Sequence, residues 1–446
     1  MNRALLQAWD KTLRRRGGDC AVVSAADGQG VTFRELDARA ASWLTTQVPE
    51  PGALAGRAVV FAAPNGVGWL EIFLGLLKAG AVVVPLDAAE PLAAQRRLAE
   101  SLRAGFWWDG VRLSSLSGGK RYRGPAVCLI KLTSGTTGQP RPLVFMAEQL
   151  LADGRQVTAT MGISPRDLNY ALIPLGHSYG LGNLTIPLLA QGVPLVCGAA
   201  PLPRAIAADF ARWRPTVFPG VPVMWRALAA SDVELDSLRL GISAGAPLLP
   251  EVARDFAARF GRRLHSFYGS SETGGIAYDA TGRATLDGGV GRAMHGVKLT
   301  GLRGQRLLVS SAAVFTRGNR WWRRAGLGAW LMSDRVALDA RGGLTLLGRR
   351  GTTVKITGRR INLAEVTARL RRLSGVRDVW VGVKGGTTDA TLGVVVVTRR
   401  PVAELRAALH ADTAAWKIPK KWVVVAALPL TDRGKTDTRA LQALIA

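Results

Sequence analysis

The feature that most constrains this chain is a repeated alternation of short, fully apolar runs with longer stretches of helical periodicity. "RAVVFAAP" at 57–64 reads as a buried strand. Trp69, Ile72, Phe73, Leu76 and Leu77 follow at helical spacing, Gly80 ends the helix, and "AVVVPL" at 81–86 supplies the next strand. Neither strand alternates polar with apolar residues. Both must therefore be covered on two faces, which is the condition of strands in a parallel sheet clothed by helices. The unit recurs through "YALIP" (170–174), an apolar helix ending at Gln191-Gly192, "PLVC" (194–197), "TVFPG" (216–220) and a helix through Trp225. "LRLGISAG" (238–245), "PEVARDFAARF" (250–260, Pro250 opening a helix) and "RLHSFYG" (263–269) extend it.

The texture changes after about residue 300. "QRLLVSS", "AWLMSD", "VALDARGGLTLLGRR" and "TTVKITG" are short strands parted by glycines. Beyond 353 the order is strand, helix (363–373), strands (376–383 and 391–398), helix (402–410), strand (422–428) and helix (437–445). The expectation is an α/β protein with two domains. Residues 1–348 form a large N-terminal domain of mainly parallel, helix-covered sheets with a β-rich part, and residues 349–446 a small α+β domain.

Hydrophobic residues make up 48% of the chain and charged ones 20%, a globular balance that excludes a disordered one. Cys20, Cys128 and Cys197 are scattered and lack metal-ligand spacing, which favours a reducing compartment over a disulfide framework. The most apolar segment, 70–86, is interrupted by Glu71 and Lys78, so no transmembrane segment is expected and the protein reads as soluble and cytoplasmic. The charge is unusual: 59 Lys and Arg against 32 Asp and Glu give +27. Arg303, Arg306, Arg317, Arg320, Arg323 and Arg324 occur with no acid between them. Such a balance implies an anionic partner (a nucleotide, nucleic acid, lipid surface or acidic protein) or an arginine-rich solvated surface.

The segment "KLTSGTTGQPRPLVF" (131–145) interrupts an apolar run with more polar residues than a turn requires. Thr133, Ser134, Thr136 and Thr137 offer hydroxyls, while Gly135 and Gly138 let backbone N–H groups approach a ligand. Arg141 adds a permanent charge. The set suits a polyphosphate, although it lacks the GK[ST] ending of a Walker A loop.

This loop resembles the phosphate-binding loop of the adenylate-forming superfamily, the acyl-CoA synthetases, peptide-synthetase adenylation domains and luciferases. Other signatures follow in order: "SAGAPL" (243–248), "YGSSETGG" (268–275), "SDRVALDARGGLTLLGRR" (333–350), "VKITGRRINLAEV" (354–366) and "LPLTDRGKTDTRAL" (428–441). The resemblance implies ATP-dependent activation of a carboxylic acid to an acyl-adenylate, then transfer to a thiol. It assigns Thr133 to Gly138 and Arg141 to the ATP phosphates, and Gly245, Ala246, Pro247, Tyr268, Gly269, Ser270 and Ser271 to the nucleotide. Asp334 and Arg349 would hold the ribose and Glu272 a Mg²⁺ ion, a hard cation suited to carboxylate and phosphate oxygen. Lys435 would bridge the reacting carboxylate and α-phosphate as a point charge.

Arg360 matches a position near the phosphates in one orientation of a mobile small domain, and the hinge falls on Gly351, where such proteins commonly carry Asp or Lys. A second departure is Arg141-Pro142, where most members read Lys-Gly. His177 matches a residue near the carboxylate; as a lone histidine among apolar residues it reads equally as a packed one.

Between Leu172 and Pro203 there is no Asp, Glu, Lys or Arg. The acyl pocket implied there, with His177, Tyr179, Gly180, Val221, Ala244 and Gly245, favours an aryl or aliphatic acid over an amino acid. The thiol would be coenzyme A or the phosphopantetheine of an acyl carrier protein, the basic surface suiting an acidic carrier. Rival expectations are a catalytically degenerate scaffold of the same fold, and a basic nucleic-acid-binding protein stacking bases on "FWW" (106–108) and "RWWRR" (320–324), although no specific nucleic-acid motif is present. An adenylating enzyme with a non-thiol acceptor is a third.

Overall fold

The computed structural model describes residues 3–48, 50, 52–122, 127–133, 141–315, 328–349, 353–356, 359–384, 391–410, 413, 417–431 and 435–446. Thr133, Arg349 and Arg360 enter through their backbone alone. The chain divides into two compact units. One comprises residues 1–301, 308–331 and 338–345, the other 302–307, 332–337 and 346–446.

The first unit is built on two sheets. Strands β1 (Cys20–Ser24), β2 (Gly30–Thr32), β3 (Ala58–Ala62), β4 (Val82–Leu86), β5 (Phe106–Trp108), β6 (Leu113–Ser115), β7 (Val127–Thr133) and β8 (Arg141–Met146) come first along the chain. Strands β9 (Asn169–Ala171), β10 (Leu195–Cys197), β11 (Val217–Gly220), β12 (Leu240–Ser243), β13 (Leu264–Ser270), β14 (Gly274–Tyr278) and β15 (Arg292–Ala293) follow. The six-stranded sheet runs β6-β5-β3-β4-β7-β8 and the nine-stranded one β15-β14-β13-β12-β11-β9-β10-β1-β2. Their centres are parallel: β3 pairs with β4 and β5, β4 with β7, β9 with β10 and β11, and β11 with β12. Antiparallel pairs close the edges, β7 with β8, β5 with β6, β13 with β14 and β1 with β2. The fully apolar strands of the sequence are the central ones, and Val59, Val60, Val83 and Val84 are completely buried.

The helix Val67–Lys78 buries Trp69, Ile72, Phe73, Leu76 and Leu77, and Trp69 stacks on Phe73 at 4.9 Å. Gly80, at φ +70°, takes the left-handed turn that brings the chain back into β4. Trp107 and Trp108 are 9% and 7% exposed, so two aromatics of "FWW" are packed away from any base. Thr32 opens the helix Phe33–Gln47 with a capping box shared with Glu35.

The second unit contains a three-stranded sheet of Val376–Lys384, Thr391–Thr398 and Lys421–Val424, the outer pairings antiparallel and parallel respectively. Helices Leu363–Arg371, Val402–His410 and Thr438–Ile445 accompany it. Val394, Val396, Leu405, Leu370 and Ile361 form its core. The helix Leu363–Arg371 and the strand Lys421–Val424 are shorter than their sequence patterns suggest. No helix among the described residues is long and apolar enough to cross a membrane.

Candidate active site

Residues 178–191 form the hub of the site. Ser178–Gly180 is a helical turn that widens into π-helical segments at Leu181–Thr185 and Pro187–Gln191, ended by Gly192 at φ +77°. Widened turns of this kind concentrate at functional sites because they reorient side chains within a continuous helix. Gly180 is required by the entry to this helix: a Cβ there would lie 2.1 Å from the Pro174 carbonyl oxygen. His177 caps the turn with its backbone, its N–H bonded to Pro174 O at 3.2 Å and its carbonyl accepting from Leu181 N–H at 2.7 Å.

Tyr179 reaches across the ends of β11 and β12. Its Oη lies 3.3 Å from both Gly220 O and Ile242 O, one hydrogen shared between two carbonyls, and its ring packs on Phe267 at 5.6 Å. Burial pushes its phenol well above the ordinary range, so it stays a neutral donor. Val221 follows Gly220, Ala244 follows β12 and is 5% exposed, and Gly245 turns at φ +86° with Val221 as its near neighbour. Gly245, Ala246 and Pro247 are exposed past the strand end.

The hub also grips the serine–glutamate segment. Ser178 Oγ donates to Ser271 Oγ at 3.0 Å, and the Ser270 and Thr273 hydroxyls share a hydrogen bond of 3.0 Å. Tyr268 is buried on β13, and Gly269 faces β14 so closely that a Cβ would meet Gly274 O at 2.8 Å. The carbonyl of Glu272 accepts from Phe315 N–H at 2.7 Å, fixing the turn that carries its side chain. Glu272 with the neighbouring hydroxyls provides one carboxylate and neutral oxygens. That donor set fits Mg²⁺, which takes few protein ligands and completes its shell with phosphate and water. Among the described residues no group of three His, Cys, Asp or Glu forms a closed metal cage.

Two buried charges in this region escaped the sequence reading. Asp153, in the helix Ala147–Met161, is 4% exposed, and its Oδ1 accepts from Gly275 N–H at 2.9 Å. Gly182 and Gly274 make room for it: a Cβ at either would come within 2.7 Å of a carboxylate oxygen. Lys131, on β7, is also 4% exposed, and its Nζ lies 4.4 Å from the centre of the Phe145 ring. Burial pushes the Lys131 ammonium down and the Asp153 carboxyl up, and each charge partly restrains the other's shift. Glu272 adds a further attraction for the lysine. In sequence both residues sit in ordinary strand and helix patterns, and only a charge within the run "VCLIKLT" signals Lys131.

The segment expected to bind phosphate falls between two paired strands, β7 and β8. Thr133 and Arg141 are opposite partners at the ends of β7 and β8, while Ser134, Gly135, Thr136, Thr137 and Gly138 lie outside the described residues. Arg141 is exposed, with its guanidinium 5.8 Å from the centre of the Trp330 ring.

The remaining expected site residues belong to the second unit. Asp334 is half-buried on the strand Gly328–Leu338, and Arg349 ends the strand Leu344–Arg349. Arg360 lies on the strand Arg359–Asn362, and Gly351 lies outside the described residues. Lys435 is exposed, its carbonyl accepting from Thr431 N–H at 2.7 Å and its N–H donating to Thr431 Oγ1 at 3.3 Å.

A parallel-sheet core carrying these segments in this order defines an AMP-forming acid–thiol ligase of the adenylate-forming superfamily. Residues 9–106 and 120–302 match the AMP-binding enzyme family, and the chain belongs to that family. It is 28% identical to feruloyl-CoA synthase of an Amycolatopsis species over 92% of both chains. It is 27% identical to 4-coumarate–CoA ligase of Cereibacter sphaeroides over 70% of this chain and 71% of that one. ATP-bound MatB from Rhodopseudomonas palustris shares the fold with a TM-score of 0.82 at 23% identity, covering 98% of each chain. The enzyme thus activates a carboxylic acid as an adenylate and passes it to a thiol, and neither the scaffold nor the nucleic-acid reading is favoured.

Proposed function

We propose that the acid is apolar, aryl or aliphatic, and that the acceptor is coenzyme A or the phosphopantetheine of an acyl carrier protein. The observation that carries this reading is the pocket wall. Tyr179, Phe267, Val221 and Ala244 meet around the ends of β11 and β12, on a hub whose segment 172–203 contains no charged residue. A substrate ammonium would find no carboxylate in that wall, whereas a ring or alkyl chain replaces water there at no electrostatic cost. The relatives named above, by their names, act on ring-bearing phenolic acids, which agrees with an aryl acid.

ATP and acid are both anionic, so the residues of this chain have to neutralise charge and hold the reacting groups in line. Arg141, with the polar loop it follows, serves the phosphates, and Glu272 would hold a Mg²⁺ ion, which would supply further neutralising charge there. Asp334 and Arg349 bind the ribose; Gly245, Ala246, Pro247, Tyr268, Gly269, Ser270 and Ser271 form the nucleotide wall. Lys435 and Arg360, on a lid domain of residues 349–446 turning about Gly351, deliver positive charge, and His177 stands at the substrate carboxylate.

The test is mass spectrometry of one reaction. Wild type and Lys435→Ala are incubated with ATP, Mg²⁺ and a pool of aryl, aliphatic and amino acids, without thiol. An apolar acyl-adenylate present with wild type and lost in the variant is the expected result. An aminoacyl-adenylate as the main product would overturn the substrate class.

A further inference from the structure

We propose that one face of the helix Ala147–Met161 sets the place of Glu272: Gln149 and Asp153, one helical turn apart, are positioning residues that hold the backbone on both sides of it. The inference rests on the reading of Glu272 as the magnesium-binding carboxylate, and it adds two residues that lie outside every motif of the sequence.

The helix carries a polar stripe on a side that packs inward. Gln149, Asp153 and Gln156 are all buried, and with Thr160 they recur at the spacing of a single helix face. Buried polar groups cost stability unless each finds a partner. Here each finds one in the backbone of another segment. Gln149 Nε2 donates to Val314 O at 2.8 Å, and Asp153 Oδ1 accepts from Gly275 N–H at 2.9 Å. Gln156 Nε2 donates to Gly296 O at 3.4 Å, and Thr160 Oγ1 accepts from His295 N–H at 3.0 Å. Apolar contacts would press a helix against loops without choosing a register, whereas bonds to single peptide groups choose one.

Two of the four bonds meet the turn that carries Glu272. The Val314 carbonyl held by Gln149 and the Phe315 N–H belong to one planar peptide unit and lie on its opposite edges. That N–H donates to the Glu272 carbonyl at 2.7 Å. Gln149 is itself fixed, since its Oε1 accepts from Met146 N–H at 2.9 Å at the start of the helix. Beyond Glu272, Asp153 takes the Gly275 N–H, and its carboxylate fits there because Gly274 and Gly182 carry no Cβ. Glu272 therefore stands between two backbone points fixed from one rigid helix. Ser178 Oγ, bonded to Ser271 Oγ at 3.0 Å, ties the same turn to the hub. A carboxylate that is to serve a metal needs its place set to within about 0.5 Å, which a turn held only at its ends does not provide.

The experiment compares full-length wild type with Asp153→Leu, Asp153→Asn, Gln149→Met and Glu272→Gln. Calorimetric titrations with ATP in Mg²⁺ and with ATP in EDTA, run well below every thermal midpoint, give the factor by which Mg²⁺ raises ATP affinity. Midpoints are read without ligand. Glu272→Gln should abolish the Mg²⁺ factor and so sets the scale. Asp153→Leu and Gln149→Met keep side-chain volume and remove the hydrogen bond. Each should cut the factor towards that level, by about tenfold, as loss of a group that orients a metal ligand does, with ATP affinity in EDTA unchanged. Asp153→Asn, which keeps the acceptor and the shape, should retain most of the factor.

Lowered midpoints with an unchanged Mg²⁺ factor would overturn the proposal, leaving Gln149 and Asp153 as structural struts. Asp153→Asn losing as much as Asp153→Leu would overturn it too, since the carboxylate's charge and not the Gly275 bond would then matter. A Mg²⁺ factor that survives Glu272→Gln would sink the magnesium reading of Glu272 and this inference with it, an outcome distinct from either.

Discussion

Gly180 and Gly68 provide a paired test of how the hub is held. Both lie in right-handed helical turns, Gly180 at φ −68° and ψ −37°, Gly68 in the first turn of Val67–Lys78. Alanine at either should gain helix propensity of roughly 0.5–1 kcal/mol through a less flexible unfolded chain. At Gly68 nothing lies within 4 Å of the added Cβ, so the gain should appear undiminished. At Gly180 the added Cβ would stand 2.1 Å from Pro174 O and 2.8 Å from its carbonyl carbon.

Backbone atoms cannot swing aside like a side-chain end. The 174–177 turn must retreat by roughly 1 Å, at the 1–3 kcal/mol typical of overpacking. The expected outcome is Gly68→Ala stabilised by about 0.5 kcal/mol and Gly180→Ala destabilised by about 1–2 kcal/mol. Urea denaturation followed by tryptophan fluorescence reads both against wild type. The displaced turn carries His177 and Ser178, so Gly180→Ala should also raise KM for the acid. Equal stability of the two variants would refute the claim that the Pro174 contact fixes the hub.

Two further outcomes follow from the same geometry. Tyr179→Phe removes the hydrogen shared by Gly220 O and Ile242 O; a cost of about 1–2 kcal/mol and a raised KM for the acid are expected, and unchanged kinetics would show that the phenol does not shape the pocket. His265 is stacked on Tyr278, and burial lowers its pKa below 6.5 although its Nδ1 contacts Asp279 O at 2.8 Å. The unfolded chain then binds the proton more readily, so stability is full above pH 6.5 and falls as the pH drops below it. Denaturation midpoints at about pH 7.5 and 5.5 should therefore differ less in His265→Gln than in wild type.

Much of this arrangement was legible in the sequence because its physics is local. A strand buried on two faces has to be apolar throughout, and a chain that must turn back sharply takes glycine, so Val82–Leu86 and Gly80 announced themselves. What remained hidden depends on distant partners. Nothing near Asp153 in the chain reveals that Gly182, Gly274 and Gly275 converge on its carboxylate, and Lys131, marked only as a charge within an apolar run, shows its burial once Leu143 is paired opposite it and Phe145 packs on it. The packed Trp107 and Trp108 show the converse, since aromatics beside a charged residue could have been exposed. Sheet order was likewise illegible, because β9 lies between β10 and β11 only through tertiary packing.

That sheet order also governs how the chain can be assembled as it is made. Strand β1, residues 20–24, pairs in parallel with β10 at 195–197, and its other neighbour is the short β2. At a synthesis rate of about 5–20 residues per second, β1 waits roughly ten to thirty seconds for its partner to emerge. An isolated two-stranded hairpin is marginal in water, so the β1–β2 pair cannot hold itself together over that interval. The six-stranded sheet, complete at Met146, has all its strands available earlier. Nascent chains arrested just before and just after residue 197 should thus differ sharply in protease resistance at residues 20–32, while the β3–β4–β5 region is already protected in both.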